Sequence, residues 1–183
     1  MSTDIQIIQP PNPRNRFYHL AGLGLLVLNS WRHRIQGYKT PRPWFSQDGS
    51  TVLEYDRAVF SNWRRHLDDY LEFEIDLSDR SVLEIGPGTD LGTGLLWLAA
   101  GAESYTGLDA HPLVGDKTRP LHDELARLIA GADAALLEKL LDAVRRLHAG
   151  EDGALRYRVL EKFKLRKLDL DGFDVVVSHS ALE

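Results

Sequence analysis

The sequence contains no cysteine and a single methionine among 183 residues. Disulfide frameworks, cysteine-ligated zinc, iron–sulfur clusters and thiol nucleophiles are therefore excluded, and a reducing, cytoplasmic setting is the expectation. A strong charge of either sign is also missing. The 22 Lys and Arg against 27 Asp and Glu leave a net charge of -5, so bulk electrostatics do not recruit nucleic acid. Long apolar runs are scarce. The longest, Leu20 to Leu28, holds nine residues with two glycines, well short of the ~20 that span a bilayer. The opening Met-Ser-Thr-Asp-Ile-Gln lacks the basic stretch that starts a signal peptide. The seven histidines show no His-x-x-x-His spacing, which argues against a metal site.

What is present reads as a globular chain: 43% hydrophobic and 27% charged residues, at the average for folded domains. Charge is unevenly spread, with six basic residues (Arg14, Arg16, Arg32, Arg34, Lys39, Arg42) against Asp4 alone in residues 1–45. After Gln9-Pro10-Pro11-Asn12-Pro13, which cannot hold a helix, Leu20, Leu23, Val27, Trp31 and Ile35 recur at helical spacing. This basic helix is expected to pack beside the sheet or close over a cofactor; with Trp31, Tyr38, Trp44 and Phe45 beside its arginines it could instead form a patch for an anionic substrate or for peripheral contact with a membrane surface. A second helix is predicted from about Thr51, where Thr51-x-x-Glu54 has the form of a capping box. Its stripe is Val52, Tyr55, Val59, Trp63, Leu67 and Tyr70.

From residue 79 the pattern becomes strand, helix, strand, helices, strand, strand. The predicted strands are Val82–Ile85, Tyr105–Leu108, Leu155–Leu160 and Phe173–Ser178, with helices over 91–100 and 119–149 and a break at Gly131. That alternation means a parallel α/β sheet. The last strand is apolar enough to be buried on both faces. The expected organisation is an N-terminal helical cap over residues 1–78 and an α/β domain over 79–183, with a helical insertion at about 113–150 that could cover a substrate pocket.

The informative stretch is Val82-Leu83-Glu84-Ile85-Gly86-Pro87-Gly88-Thr89-Asp90-Leu91-Gly92. A strand feeds a glycine-rich turn that opens a helix, so a ligand can lie against bare backbone at the carboxyl edge of the sheet. Asp109 ends the next strand, 23 residues after Gly86, where a carboxylate can accept both hydroxyls of a ribose. The dinucleotide fingerprint Gly-x-Gly-x-x-Gly fails here, because Leu91 stands at the third glycine position. Glu84 and Asp90 are poor company for a diphosphate and suit a cationic ligand.

These motifs resemble the N-terminal half of a class I S-adenosylmethionine-dependent methyltransferase. The resemblance rests on Leu83-Glu84-Ile85-Gly86-Pro87-Gly88, on Gly107-Leu108-Asp109-Ala110, and on Phe173-Asp174-Val175-Val176-Val177-Ser178-His179-Ser180-Ala181-Leu182-Glu183. It implies a three-layer Rossmann-like fold, S-adenosyl-L-methionine as cofactor, and methyl transfer to an oxygen or nitrogen of a small-molecule acceptor. The alternative is a non-catalytic S-adenosylmethionine or adenosine binder. By the same resemblance, Glu84, Gly86, Pro87 and Gly88 surround the methionine moiety, Asp109 holds the ribose, and Ala110 and His111 border the adenine. Glu161 meets the adenine amino group, and Ser178 and His179 end the fourth strand near the transferable methyl. His179 is then a wall of the pocket or the group that takes the acceptor's proton. The family's sheet has seven strands, so the chain reads as ending after the fourth, with an unpaired edge that invites self-association.

Overall fold

The computed structural model describes residues 24, 25, 27, 28, 31, 48–160 and 172–179. The chain divides into two compact units, residues 1–42 and 43–183. In the first, Gly24, Leu25, Val27, Leu28 and Trp31 are helical and exposed; the rest of the predicted basic helix, including Arg32 and Arg34, lies outside the described residues.

The second unit begins with helix α1 (Gly49–Leu71), followed by β1 (Ser81–Ile85), α2 (Gly92–Ala99), β2 (Ser104–Asp109), a 3-10 turn (Asp116–Thr118), α3 (Arg119–Ala130), α4 (Ala134–Ala149), β3 (Leu155–Val159) and β4 (Val175–Ser178). The four strands form one all-parallel sheet in the order β3-β2-β1-β4. This is an α/β, Rossmann-like arrangement, in which β1 and β4 flank the point where the strand order reverses.

Period-2 alternation divides the strands between two faces. Val82, Glu84, Tyr105, Leu155, Val175 and Val177 look to one side, and α2, α3 and α4 cover that side with Leu95, Trp97, Leu125, Leu140 and Val144. Each such fully buried aliphatic side chain contributes on the order of 1.5–3 kcal/mol. Helix α1 packs on α2 and α3, and its Val52 and Leu53 belong to the same core. α2 is buried from Gly92 through Leu98, which explains why its sequence is apolar on every side.

Several expectations are corrected. α1 starts two residues before Thr51, and no side-chain cap forms. The Asp48 carbonyl instead accepts from the Thr51 and Val52 N–H groups (3.1 and 3.2 Å). The buried stripe of α1 is Gly49, Val52, Leu53, Asp56 and Val59, whereas Tyr55 and Tyr70 are exposed. Helices α3 and α4 span the stretch predicted as a helical insertion at about 113–150. They are the β2-to-β3 crossover itself, with Leu121, Leu125, Ala126, Leu140, Ala143 and Val144 in the core. β4 is not buried on both faces: Val175 and Val177 are buried, but Val176 is 52% exposed. Among the described residues β4 pairs with β1 alone, so one of its edges has no neighbouring strand, whereas β1 is flanked on both sides.

The register of β4 is set at its start. Asp174 accepts from the Ser81 N–H (2.8 Å), the Ser81 hydroxyl (2.9 Å) and Arg80 (3.1 Å). Those donors hold its carboxyl below the usual carboxylate range.

Candidate functional site

A parallel sheet brings every strand's carboxyl end to one edge, and four of the sequence-predicted elements meet there. Gly86 and Gly88 follow β1 with φ of 75° and 79°, a backbone region that side chains disfavour. The Gly86 N–H donates to the Leu108 carbonyl (2.8 Å), which lays the glycine turn beside the end of β2. Pro87 packs over Gly107 of β2. Asp109 ends β2, buried, and its Oδ1 accepts the His111 N–H (3.2 Å), shaping the loop that holds Ala110 and His111. Tyr157 of β3 braces that loop, donating to the His111 carbonyl (2.7 Å) and accepting from the Leu113 N–H (3.2 Å). Ser178 stands opposite Ile85 and donates its hydroxyl to the Ile85 carbonyl (3.1 Å). Glu161 lies outside the described residues.

His179, just past β4, is exposed. It meets Tyr55 and Trp63 of α1 edge-on, with ring centroids 6.0 and 6.3 Å away. Trp63 in turn stacks on the fully buried Trp97 at 6.4 Å. Helix α1 therefore supplies an aromatic wall to the edge at which β4 ends.

The same helix brings a carboxyl to the glycine loop. Asp56 is 3% exposed, and its Oδ2 abuts Gly92 so closely that a Cβ there would collide with it. Glu84 is equally buried, with Oε2 accepting from Thr93 Oγ1 and from the Tyr105 hydroxyl (2.7 Å each). Asp90 accepts from the Gly92 N–H (3.1 Å). Burial pushes the Glu84 carboxyl up to about 7, with its two hydroxyl donors opposing and Asp90 reinforcing the rise. Burial and then the neighbouring Asp90 and Glu84 push Asp56 to about 9. Burial likewise raises Asp90, against the pull of the Gly92 N–H. Among the described residues, two buried polar atoms of this region have no hydrogen-bond partner, Asp56 Oδ2 and Thr89 Oγ1.

On its other side the loop is held by a histidine pair. His122 of α3 has no exposed surface, and its Nε2 lies 2.9 Å from the Thr89 carbonyl. A carbonyl only accepts, so Nε2 carries the proton, and Nδ1 accepts from His148 Nε2 at 2.9 Å. Burial pulls His122 down to about 4.

Sequence reasoning missed Asp56, His122, His148 and Tyr157. For Asp56 a signal existed: an acid four residues after Val52 and three before Val59 occupies the apolar stripe. The histidine pair spans 26 residues and two helices, which no local pattern announces.

Two open clefts, of about 780 Å³ on the outer face of α4 and about 510 Å³ at the amino edge of the sheet, lie away from this edge. Among the described residues no set of three His, Asp or Glu is arranged to hold a metal ion, and no helix is long and apolar enough to cross a membrane. A scan against protein-family models matches none, and a search of the curated proteins finds no significant match. What the residues establish is a Rossmann-like α/β unit whose carboxyl edge gathers a glycine turn, four buried carboxyls (Asp56, Glu84, Asp90 and Asp109) and an aromatic wall.

Proposed function

We propose that the carboxyl edge binds S-adenosyl-L-methionine and that the chain transfers the methyl group to a small-molecule oxygen or nitrogen acceptor. The observation that carries this reading is the trio Asp56, Glu84 and Asp90 around the glycine turn, with the Asp56 Oδ2 and Thr89 Oγ1 atoms left unpartnered. A diphosphate would meet three carboxyls at a helix start, the reverse of what phosphate sites offer. A ligand that carries an ammonium and a sulfonium finds acceptors there.

The residues present fit that ligand. Glu84, Gly86, Pro87 and Gly88 would hold the methionine moiety. Asp109 spends one oxygen on the His111 N–H, and a carboxylate has capacity for further donors, such as the ribose hydroxyls. Ala110 and His111 border the adenine position. When bound, the cofactor supplies an electrophilic methyl on sulfur, open to in-line displacement. The chain then has to place an acceptor within about 3–3.5 Å and in line. Ser178, His179, Tyr55 and Trp63 frame the end of β4, where that acceptor would sit. His179 stands on this wall, where a ring nitrogen can take the proton of a hydroxyl acceptor.

Equilibrium titration with S-adenosylmethionine and with NAD tests the reading, followed by transfer of labelled methyl over a panel of acceptors. Saturable binding of the first ligand is expected, weakened tenfold or more in Asp109→Ala, because hydrogen bonds to a charged partner are worth roughly 1.5–3 kcal/mol each. Binding of NAD with none of S-adenosylmethionine would overturn it. Binding without transfer to any acceptor would favour a cofactor-binding module instead.

A further inference from the structure

Asp56 is the one member of the carboxyl trio that comes from outside the loop and the sheet. It reaches the loop from the second turn of α1 and presses Oδ2 against Gly92, where the loop becomes helix α2. Among the described residues that oxygen has no donor, although only 3% of the residue is exposed. Among the described residues, the groups facing it are Tyr55 on its own helix, Glu84 on β1 and Asp90 in the loop, with Tyr105 of β2 and Thr93 of α2 behind Glu84. None is a cation. Among the described residues no Lys or Arg forms an ion pair with Asp56, Glu84 or Asp90.

Three carboxyls at such close quarters and out of water cannot all be ionised. At least one holds a proton until a positive charge arrives. Asp56 is best suited to do so, since Glu84 already accepts two hydroxyl donors and Asp90 accepts a backbone N–H, and each of those bonds favours the ionised form.

We propose that Asp56 completes, from α1, a subsite for an organic ammonium at the glycine loop, and that it takes up this role by giving its proton to solvent when the ammonium binds. The inference rests on the S-adenosylmethionine reading and assigns it a residue and a proton count. The O–H bond of the acid breaks, its electron pair stays on the carboxylate, the proton leaves to the buffer, and the ligand keeps all its N–H bonds. Binding at the loop thereby becomes linked to pH through α1, an element outside the glycine motif.

Titration calorimetry of the full chain with S-adenosylmethionine between pH 6.0 and 7.5, in buffers of small and large ionisation enthalpy, counts the protons. The wild-type chain should release about one proton per ligand, with affinity rising by up to tenfold per pH unit. In Asp56→Asn both effects should be lost. 5′-Methylthioadenosine, which has the nucleoside and no ammonium, should bind the wild type without proton release. Infrared difference spectra with isotope-labelled aspartate provide a readout that needs no variant: the protonated aspartic acid band should vanish on binding. S-adenosylmethionine that binds with no proton release, or with the same pH slope in Asp56→Asn, would overturn the role of Asp56 and leave the cofactor reading intact. Failure of S-adenosylmethionine to bind the wild-type chain at all would overturn both.

Discussion

His122 offers the sharpest test of how the glycine loop is held. Its neutral form satisfies both ring nitrogens, Nε2–H to the Thr89 carbonyl and Nδ1 from His148, each at 2.9 Å. Protonation would place a second N–H against the N–H of His148, on a His122 ring that has no exposed surface. Burial is the main reason that its pKa falls from 6.5 to about 4, with the Thr89 carbonyl opposing and His148 reinforcing the fall. A base depressed in the folded state leaves the unfolded chain to take the proton first. Stability is thus fully present above about pH 6.5 and drains away as pH falls toward 4. Two and a half units at 1.36 kcal/mol each amount to about 3 kcal/mol. Glu84, raised to about 7, works in the opposite sense over the same window, because the folded chain keeps a proton that the unfolded chain loses. The measurement therefore has to be a difference. Urea unfolding of wild type and His122→Gln, followed by tryptophan fluorescence at pH 4.5, 5.5, 6.5 and 7.5, should show the wild type ahead at pH 7.5. That lead should shrink by about 1 kcal/mol per unit below 6.5. A lead that stays constant with pH would refute the buried neutral pair.

Three further outcomes are expected. Asp56→Asn should stabilise the ligand-free chain at pH 8 by about 2 kcal/mol or more and progressively less toward pH 4, since a carboxyl raised to about 9 costs stability as pH rises above the ordinary carboxylate range; an unchanged or lowered urea midpoint at pH 8 would contradict this. Tyr105→Phe removes one of two hydroxyl donors to Glu84, so the titration of Glu84 followed by carboxyl NMR should move above about 7; a downward move would show that the hydroxyl does not favour the ionised form. Asp174→Ala should accelerate amide hydrogen exchange at Val175–Ser178 while leaving β2 protected, because the lost contacts join β4 to β1 alone; equal acceleration in both strands would mean that the clasp is not local.

The elements most legible in the sequence were those whose signal is local. Leu83-Glu84-Ile85 followed by Gly86-Pro87-Gly88 announced a strand and its turn, and both stand where expected. Gly131 parted two helices, as its φ of 57° requires. Asp109 fell at a strand end because the apolar run before it stopped there. Helix α1 shows the limit. Its period was plain, but the choice between Tyr55 and Asp56 as the buried position depended on what α2 and the loop placed opposite, and a buried acid defies the usual ranking of core residues. Likewise the Thr51 hydroxyl satisfied a capping pattern that the chain ignores, since the Asp48 carbonyl receives the first turn's N–H groups. Tyr157 and His122 gain their roles from partners 46 and 33 residues away, a separation that no periodicity encodes.

Helix α1 also has a mechanical consequence. It is a single 23-residue rod, about 34 Å long by its rise per residue. Adjacent residues on it serve different neighbours: Asp56 presses on the glycine loop and Tyr55 on His179. A stiff rod cannot move one without the other. Any tilt that opened the loop would also take down the aromatic wall at β4, and any molecule that locked the rod against the loop would set the wall in place. Whatever favours one half of the edge would then favour the other to the same degree, a reciprocal coupling carried by the stiffness of one helix.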